Sequence, residues 1–166
     1  MRHKFRSPEL AEMAAIAAKY DARLGYVDAQ NLYSDAQALT ATAVSTNIID
    51  HGQDRNLGIG TPLAVVMTVD VLAVTAGTLT VVLQTDDNAA FSSATTVATT
   101  AALATAALVA GAQFTLDVPA DTVIERFTRI NYVIVTITTI TVTTFLTQKS
   151  MLQNSVSYAS GVNPVT

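Results

Sequence analysis

Six runs of β-branched and threonine residues, bounded by turn residues, dominate the chain after residue 43. They predict strands over 44–49, 63–69, 78–85, 114–118, 127–137 and 140–146. The stretch GTLTVVLQTDDN has the clearest period: Leu79, Val81 and Leu83 share one face and Thr80, Val82 and Gln84 the other. Such a strand buries one side only. Asp86, Asp87 and Asn88 supply the turn chemistry that ends it. Over 95–111 the preferences conflict, because Ala and Leu favour a helix while alternating Thr and Val favour a strand. The expectation is an edge strand to Leu103, then a loop. Strands at regular spacing without helical crossovers predict an antiparallel β-sandwich rather than a parallel α/β sheet.

The pattern before residue 26 is helical. Ser7 is an N-cap acceptor, Pro8 suits the first helical position and Glu9 complements the dipole. Leu10, Met13, Ala14, Ala17, Tyr20 and Leu24 then recur at spacings of three and four, and Gly25 stands where a helix ends. This divides the chain into a helical arm (1–25), a β-sandwich (26–150) and a tail (151–166). The arm lies either on its own domain or on another chain.

Charge reinforces the division. Arg2, Lys4, Arg6, Lys19 and Arg23 against Glu9, Glu12 and Asp21 give residues 1–23 a net +2, which leaves −6 for the rest of a chain of net charge −4. The candidate interface of the arm is Arg2, Lys4, Arg6, Leu10, Met13, Ala17, Tyr20 and Leu24. Only 13% of residues are charged while 50% are hydrophobic, so much of the surface is Thr, Ser, Ala and Asn, or is covered by a partner. An acidic chain has no broad basic field for nucleic acid. Threonines interrupt the most apolar segments, so no membrane span is expected, and the basic N-terminus has no apolar run of signal-peptide type before Glu9 and Glu12, so no secretion signal is expected either. Cysteine is absent, which removes disulfides and thiolate chemistry.

Candidate chemistry is thin. A phosphate loop leads its glycines into a helix and ends in Lys-Ser or Lys-Thr. Here Gly58 and Gly60 run through Pro62 into a predicted strand, so they read as a bend. His3 and His51 lack partners at metal-binding spacing, and His51 reads as a surface-turn residue. Asp86, Asp87 and Asn88 lack the glycine and terminal glutamate of a calcium loop, which leaves a turn or a loose surface cation site. Asp117, Asp121 and Glu125 read as a solvated loop, with Glu125, Arg126 and Arg129 pairing locally. No catalytic residue, cofactor or metal ligand is expected.

Three blocks taken in order carry a resemblance: YVDAQNLYSDAQALTATAVSTNIID (26–50), GIGTPLAVVMTVD (58–70) and LQTDDNAAFSSATTVATTAALATAALVAGAQFTLDVP (83–119). With ERFTRINYVI (125–134), the chain resembles, over 26–147, the capsid cement or decoration proteins of tailed bacteriophages. The resemblance implies a jelly-roll-like β-sandwich on the outer face of an HK97-like shell, with the major capsid protein as partner and self-association as a dimer or trimer. It implies a virion structural protein without enzymatic activity, cofactor, nucleic-acid or membrane partner. Apart from the resemblance, the opposite charge sign and apolar stripe of the arm lead to the expectation that it anchors across a capsid subunit or a sister chain. The chain departs from the family in the 25 residues before YVDAQ, and in its closing hairpin, often glycine-bearing in the family and here the threonine-rich segment 136–147. The alternative is a surface-displayed carbohydrate- or host-receptor-binding sandwich; the absence of Trp and 6% aromatic content weigh against it.

Overall fold

In the computed structural model, which describes residues 28–57, 60–72 and 76–153, the predicted alternation becomes a two-sheet sandwich. The arm with its eight candidate interface residues, Gly58, and the tail beyond residue 153 lie outside the described residues. The strands are β1 (Leu32–Leu39), β2 (Ala43–Val44), β3 (Ile49–Asp50), β4 (Arg55–Asn56), β5 (Leu63–Leu72) and β6 (Thr78–Asp86). There follow β7 (Thr95–Thr99), β8 (Leu103–Ala104), β9 (Gln113–Asp117), β10 (Val123–Ile124), β11 (Phe127–Val135) and β12 (Ile140–Gln148), then a short helix, α1 (Lys149–Gln153).

One sheet has the order β1-β12-β5-β9 and the other β2-β11-β6-β7, with β3 also on β11 and β8 on β6; β4 and β10 form a separate small ladder. Every pairing is antiparallel. With the short neighbours β2 and β3, and β7 and β8, each counted as one position, the main sheets read 1-8-3-6 and 2-7-4-5. That is the double Greek key of a jelly roll, as the resemblance implied.

The core follows from period two. Leu79, Val81 and Leu83 of β6, Ile130 and Tyr132 of β11, and Val65, Met67 and Val69 of β5 are all buried in one cluster. Each such side chain contributes about 1.5–3 kcal/mol by leaving water. Truncating one, for example Leu83→Ala, would cost about 2–5 kcal/mol. In the central strand β5 the neighbours Ala64 and Val66 point to the opposite face and are buried too, as is Phe145, which pairs with Val66. Sheet β1-β12-β5-β9 is therefore covered on part of its outer face.

The structure differs from the sequence reading at several elements. The expected strand 44–49 is two two-residue pieces, because the ladder is interrupted at Ser45: its N–H still donates to the Ile130 carbonyl, but the Ile130 N–H donates to the Ser45 hydroxyl, which in turn donates to the Asn47 carbonyl. The expected strand 127–137 stops at Val135, since Thr136 takes φ +63°. Segment 136–147 does not close a hairpin: β11 and β12 belong to opposite sheets, and the connection crosses the sandwich with Ile137 buried beneath it. The edge strand over 95–103 is interrupted after Thr99 and resumes as β8. Strand β1 was not anticipated. Two register shifts in its pairing with β12 bury the adjacent residues Tyr33 and Ser34, which destroys the alternation a strand would show.

Candidate functional site

Polar side chains meet where β1, β11 and β12 face one another. The Ser34 hydroxyl lies 2.7 Å from the Tyr132 hydroxyl, which donates to Thr144 Oγ1 at 2.8 Å. The Tyr33 hydroxyl lies 2.9 Å from Thr128 Oγ1, itself 3.0 Å from His51 Nε2. Since Tyr33, Ser34 and Thr144 belong to one sheet and Thr128 and Tyr132 to the other, both links bolt the sheets together across the core. Burial pushes the Tyr132 phenol up to about 12, against bonds from Ser34 and Thr144 that lower it. Burial likewise raises Tyr33, only partly offset by Thr128. Phenols held so far above neutrality stay protonated and act as hydrogen-bonding struts rather than as bases.

His51 is half-buried, not on a free surface turn. Its pKa is lowered by burial first and by the Arg55 cation second, against the Asp50 carboxylate. The Thr128–His51 contact is the nearest approach to a nucleophile–base pair. Thr128 is only 1% exposed, its hydroxyl is shared with Tyr33, and Asp50 faces away to grip Arg126, so the pair lacks both access and an orienting carboxylate.

The same end of the sandwich carries the acidic and arginine side chains. Arg126 forks onto Asp50 at 2.9 and 2.8 Å, and its guanidinium stands 4.8 Å from the Phe127 ring centre. This fork, with the Gly52 N–H, holds the Asp50 carboxyl down at about 2. Arg129 bonds Gln84 at 2.9 Å and stacks 4.2 Å over Phe91. The expected local pairing of Glu125 with Arg126 and Arg129 is therefore replaced by longer-range partners. Asp117 meets Lys149 at 2.7 Å, an exposed pair worth little.

Asp86 ends β6 as a buried carboxylate rather than a loose surface ligand. It accepts from the N–H of Asn88 at 2.8 Å and of Ser93 at 2.7 Å, which clamps the 87–94 loop. Burial pushes its pKa up, but these bonds outweigh burial and hold it below the ordinary carboxylate range. Glu125 is raised, by burial and then by the charges of Asp86, Asp87 and Asp54. Among the described residues no group of three or more His, Asp or Glu is arranged to hold a metal ion. Gly60 has φ +79° ahead of Pro62 and β5, as a bend at the start of a strand requires.

The sheet edges are unlike one another. On one flank β1 is broken by bulges, carries Asp35 and holds Ala36 at φ +45°, all of which deter a further strand. On the other flank β7 and β9, which touch each other, end the two sheets; β7 is bulged against β6, and β9 ends on Asp117, which pairs with Lys149. The sequence reading passed over this flank, although a signal was present: residues 88–116 contain no Asp, Glu, Lys or Arg.

No curated protein matches the chain. The family described as Bbp16 matches residues 33–148. The match opens at Tyr33 in the first strand and closes at Gln148, the last residue of β12, so it takes in both sheets and the tyrosine struts between them. The chain belongs to the Bbp16 family.

Proposed function

We propose that this chain is a structural component of a tailed-phage virion, a cement or decoration protein that binds the outer face of the major capsid shell and cross-links neighbouring capsid subunits. The observation that carries the reading is the jelly-roll strand order of the segment that resembles capsid cement proteins: blocks 26–50, 58–70 and 83–119 supply β1 to β3, most of β5, and β7 to β9. Membership of the Bbp16 family over that whole sandwich supports it.

The role is adhesive and non-catalytic. In support, the buried hydroxyls are committed across the core, Ser34 and Thr144 to Tyr132 and Thr128 to Tyr33. A rigid body of this kind transmits force between the subunits it joins. Many interfaces of modest free energy, engaged at once, then resist the internal pressure of packaged DNA. Particles assembled without the protein should disrupt at lower temperature or higher salt concentration than decorated ones when followed by light scattering and DNA release. Unchanged particle stability with reduced adsorption to host cells would overturn the cement role in favour of receptor binding.

A further inference from the structure

The outer face of sheet β1-β12-β5-β9 is closed off along a narrow strip. Ala64, Val66 and Phe145 point away from the core, yet they are only 0%, 1% and 3% exposed. Thr68 Oγ1, on the same face of β5, is buried with no hydrogen-bond partner among the described residues. The other sheet is the internal control. Val82 and Gln84 of its central strand β6 have a paired strand on either side, as Val66 has, and stay half-exposed. Neighbouring strands alone therefore do not seal such a face, and something lies across it. The outward Gln113, Thr115 and Asp117 of β9 are exposed, so the cover spans little more than β5 and β12. Strands lie about 4.8 Å apart and a helix is about 10–12 Å across, so a single helix fits the strip. Among the described elements, α1 and the turn 29–31 touch β12, both toward its Gln148 end. From Gln148 to Thr143, the partner of Thr68, is roughly 16 Å of strand, while α1 is only about 7.5 Å long.

We propose that this strip is the docking site of the chain's own N-terminal arm, with the apolar stripe of Leu10, Met13, Ala17 and Tyr20 laid over Val66 and Phe145. Three observations select this occupant. The first is where the arm joins the sandwich: Asp28 caps the turn 29–31, and Leu32 pairs with Phe145 itself. Gly25 to Leu32 is at most roughly 25 Å of chain, so the arm is delivered at the strip, and its local concentration there is about millimolar. The second is charge. Residues 1–23 carry +2. Asp70, which bonds Thr143, and Asp117, which pairs with Ala64, border the strip, and Lys149 is the base beside them; Arg55, Arg126 and Arg129 belong to β4 and to β11 with its approach. The third is pattern: the tail 154–166 has no charged residue, and its Gly161 and Pro164 do not suit a helix. A helix of some 17 residues is marginal alone in water, and burying its stripe is what stabilises it. The arm then completes its own domain instead of reaching for a capsid subunit, and this inference stands apart from the cement role.

The test uses the full chain, which has no native cysteine. Ala15→Cys, on the helix side opposite the apolar stripe, takes a single nitroxide label. In isotope-labelled protein the nitroxide should broaden the amide signals of 64–68 and 143–147 more than those of 80–84 and 129–133. An equimolar mixture of isotope-labelled chain without nitroxide and unlabelled chain carrying it should show no broadening. Broadening in that mixture would put the arm on a sister chain and overturn docking in cis. A labelled chain without the broadening at 64–68 and 143–147 would give the strip to the tail or to another protein, and overturns the proposal as well. Trypsin supplies a second reading. Cleavage after Lys19 and Arg23 should be at least about tenfold slower in wild type than in Leu10→Ser/Met13→Ser, which strips apolar contacts from the arm and leaves every sandwich residue in place. Equal cleavage rates would refute the docking.

Discussion

Removing one oxygen atom tests whether the tyrosine struts hold the two sheets. Tyr132→Phe keeps the ring and its packing, so no cavity forms, and deletes the hydroxyl that connects Ser34 of β1 to Thr144 of β12. Both partners are fully buried, at 0% exposure, so water does not reach them once the phenol is gone. Proton counting sharpens the expectation. Tyr132 gives its single proton to Thr144, and the single proton of Ser34, which donates to Gln37 Oε1 at 2.7 Å, is shared with the Tyr132 oxygen at the same distance. After the substitution Ser34 can turn to Gln37, while Thr144 loses its donor outright. Two bonds worth about 0.5–1.5 kcal/mol each disappear, and one buried acceptor is left unpaired, for a total loss of roughly 2–3 kcal/mol. Tyr33→Phe provides the comparison: Thr128 keeps its contact with His51, so the loss should be about 1 kcal/mol. Urea denaturation followed by circular dichroism measures both, with the midpoint shifting and the slope unchanged. A double-mutant cycle of Tyr132→Phe with Ser34→Ala should give a coupling of about 1 kcal/mol. A loss under about 0.5 kcal/mol for Tyr132→Phe, or a larger loss for Tyr33→Phe, would refute the reasoning, since neither fits struts whose worth depends on stranded partners.

Three further outcomes follow from particular residues. Gly77 has φ +120°, and a Cβ there would run into the Val135 carbonyl oxygen and lie 2.9 Å from the Ile137 nitrogen, so Gly77→Ala should cost at least about 3 kcal/mol. Gly60→Ala, at φ +79° with open space around it, should cost only about 1–2 kcal/mol in the same urea titration. The folded His51 has a pKa below its unfolded value of about 6.5, so acidification protonates the unfolded chain first; its contribution is fully present above that pH and is lost as pH falls toward the folded value. His51→Gln should flatten that part of the stability profile, and an unchanged slope would contradict the assignment. Carbon-detected NMR should find the Asp50 carboxyl titrating near pH 2 in wild type and closer to an ordinary aspartate in Arg126→Ala.

The sequence by itself determined the architecture wherever burial follows a local period. Strand β6 was legible because Leu79, Val81 and Leu83 alternate with half-exposed neighbours, and Asp86 to Asn88 ended it as turn chemistry predicts. Most of β5, β9, β11 and β12 were legible for the same reason, and an all-β antiparallel sandwich followed. Tertiary structure alone decided the rest. Ser34 is polar and reads as a surface residue, yet it is fully buried because Tyr132, 98 positions away, supplies its partner. The bulges of β1 flank Ser34, and they erased the alternation that would have revealed the strand. Thr128 and His51 meet across 77 positions, which turned an expected surface histidine into part of the core's polar linkage. Arg126 chose Asp50 over its neighbour Glu125 because β3 and β11 are adjacent in the sheet, a pairing that no local propensity encodes. The charge gap over 88–116 is the reverse case: it is plain in the sequence, but it became a surface only when the jelly roll placed β7 and β9 at the edges of their two sheets. Periodicity is a property of neighbours along the chain and survives in the sequence; the partner that makes a buried polar group affordable is a property of the fold.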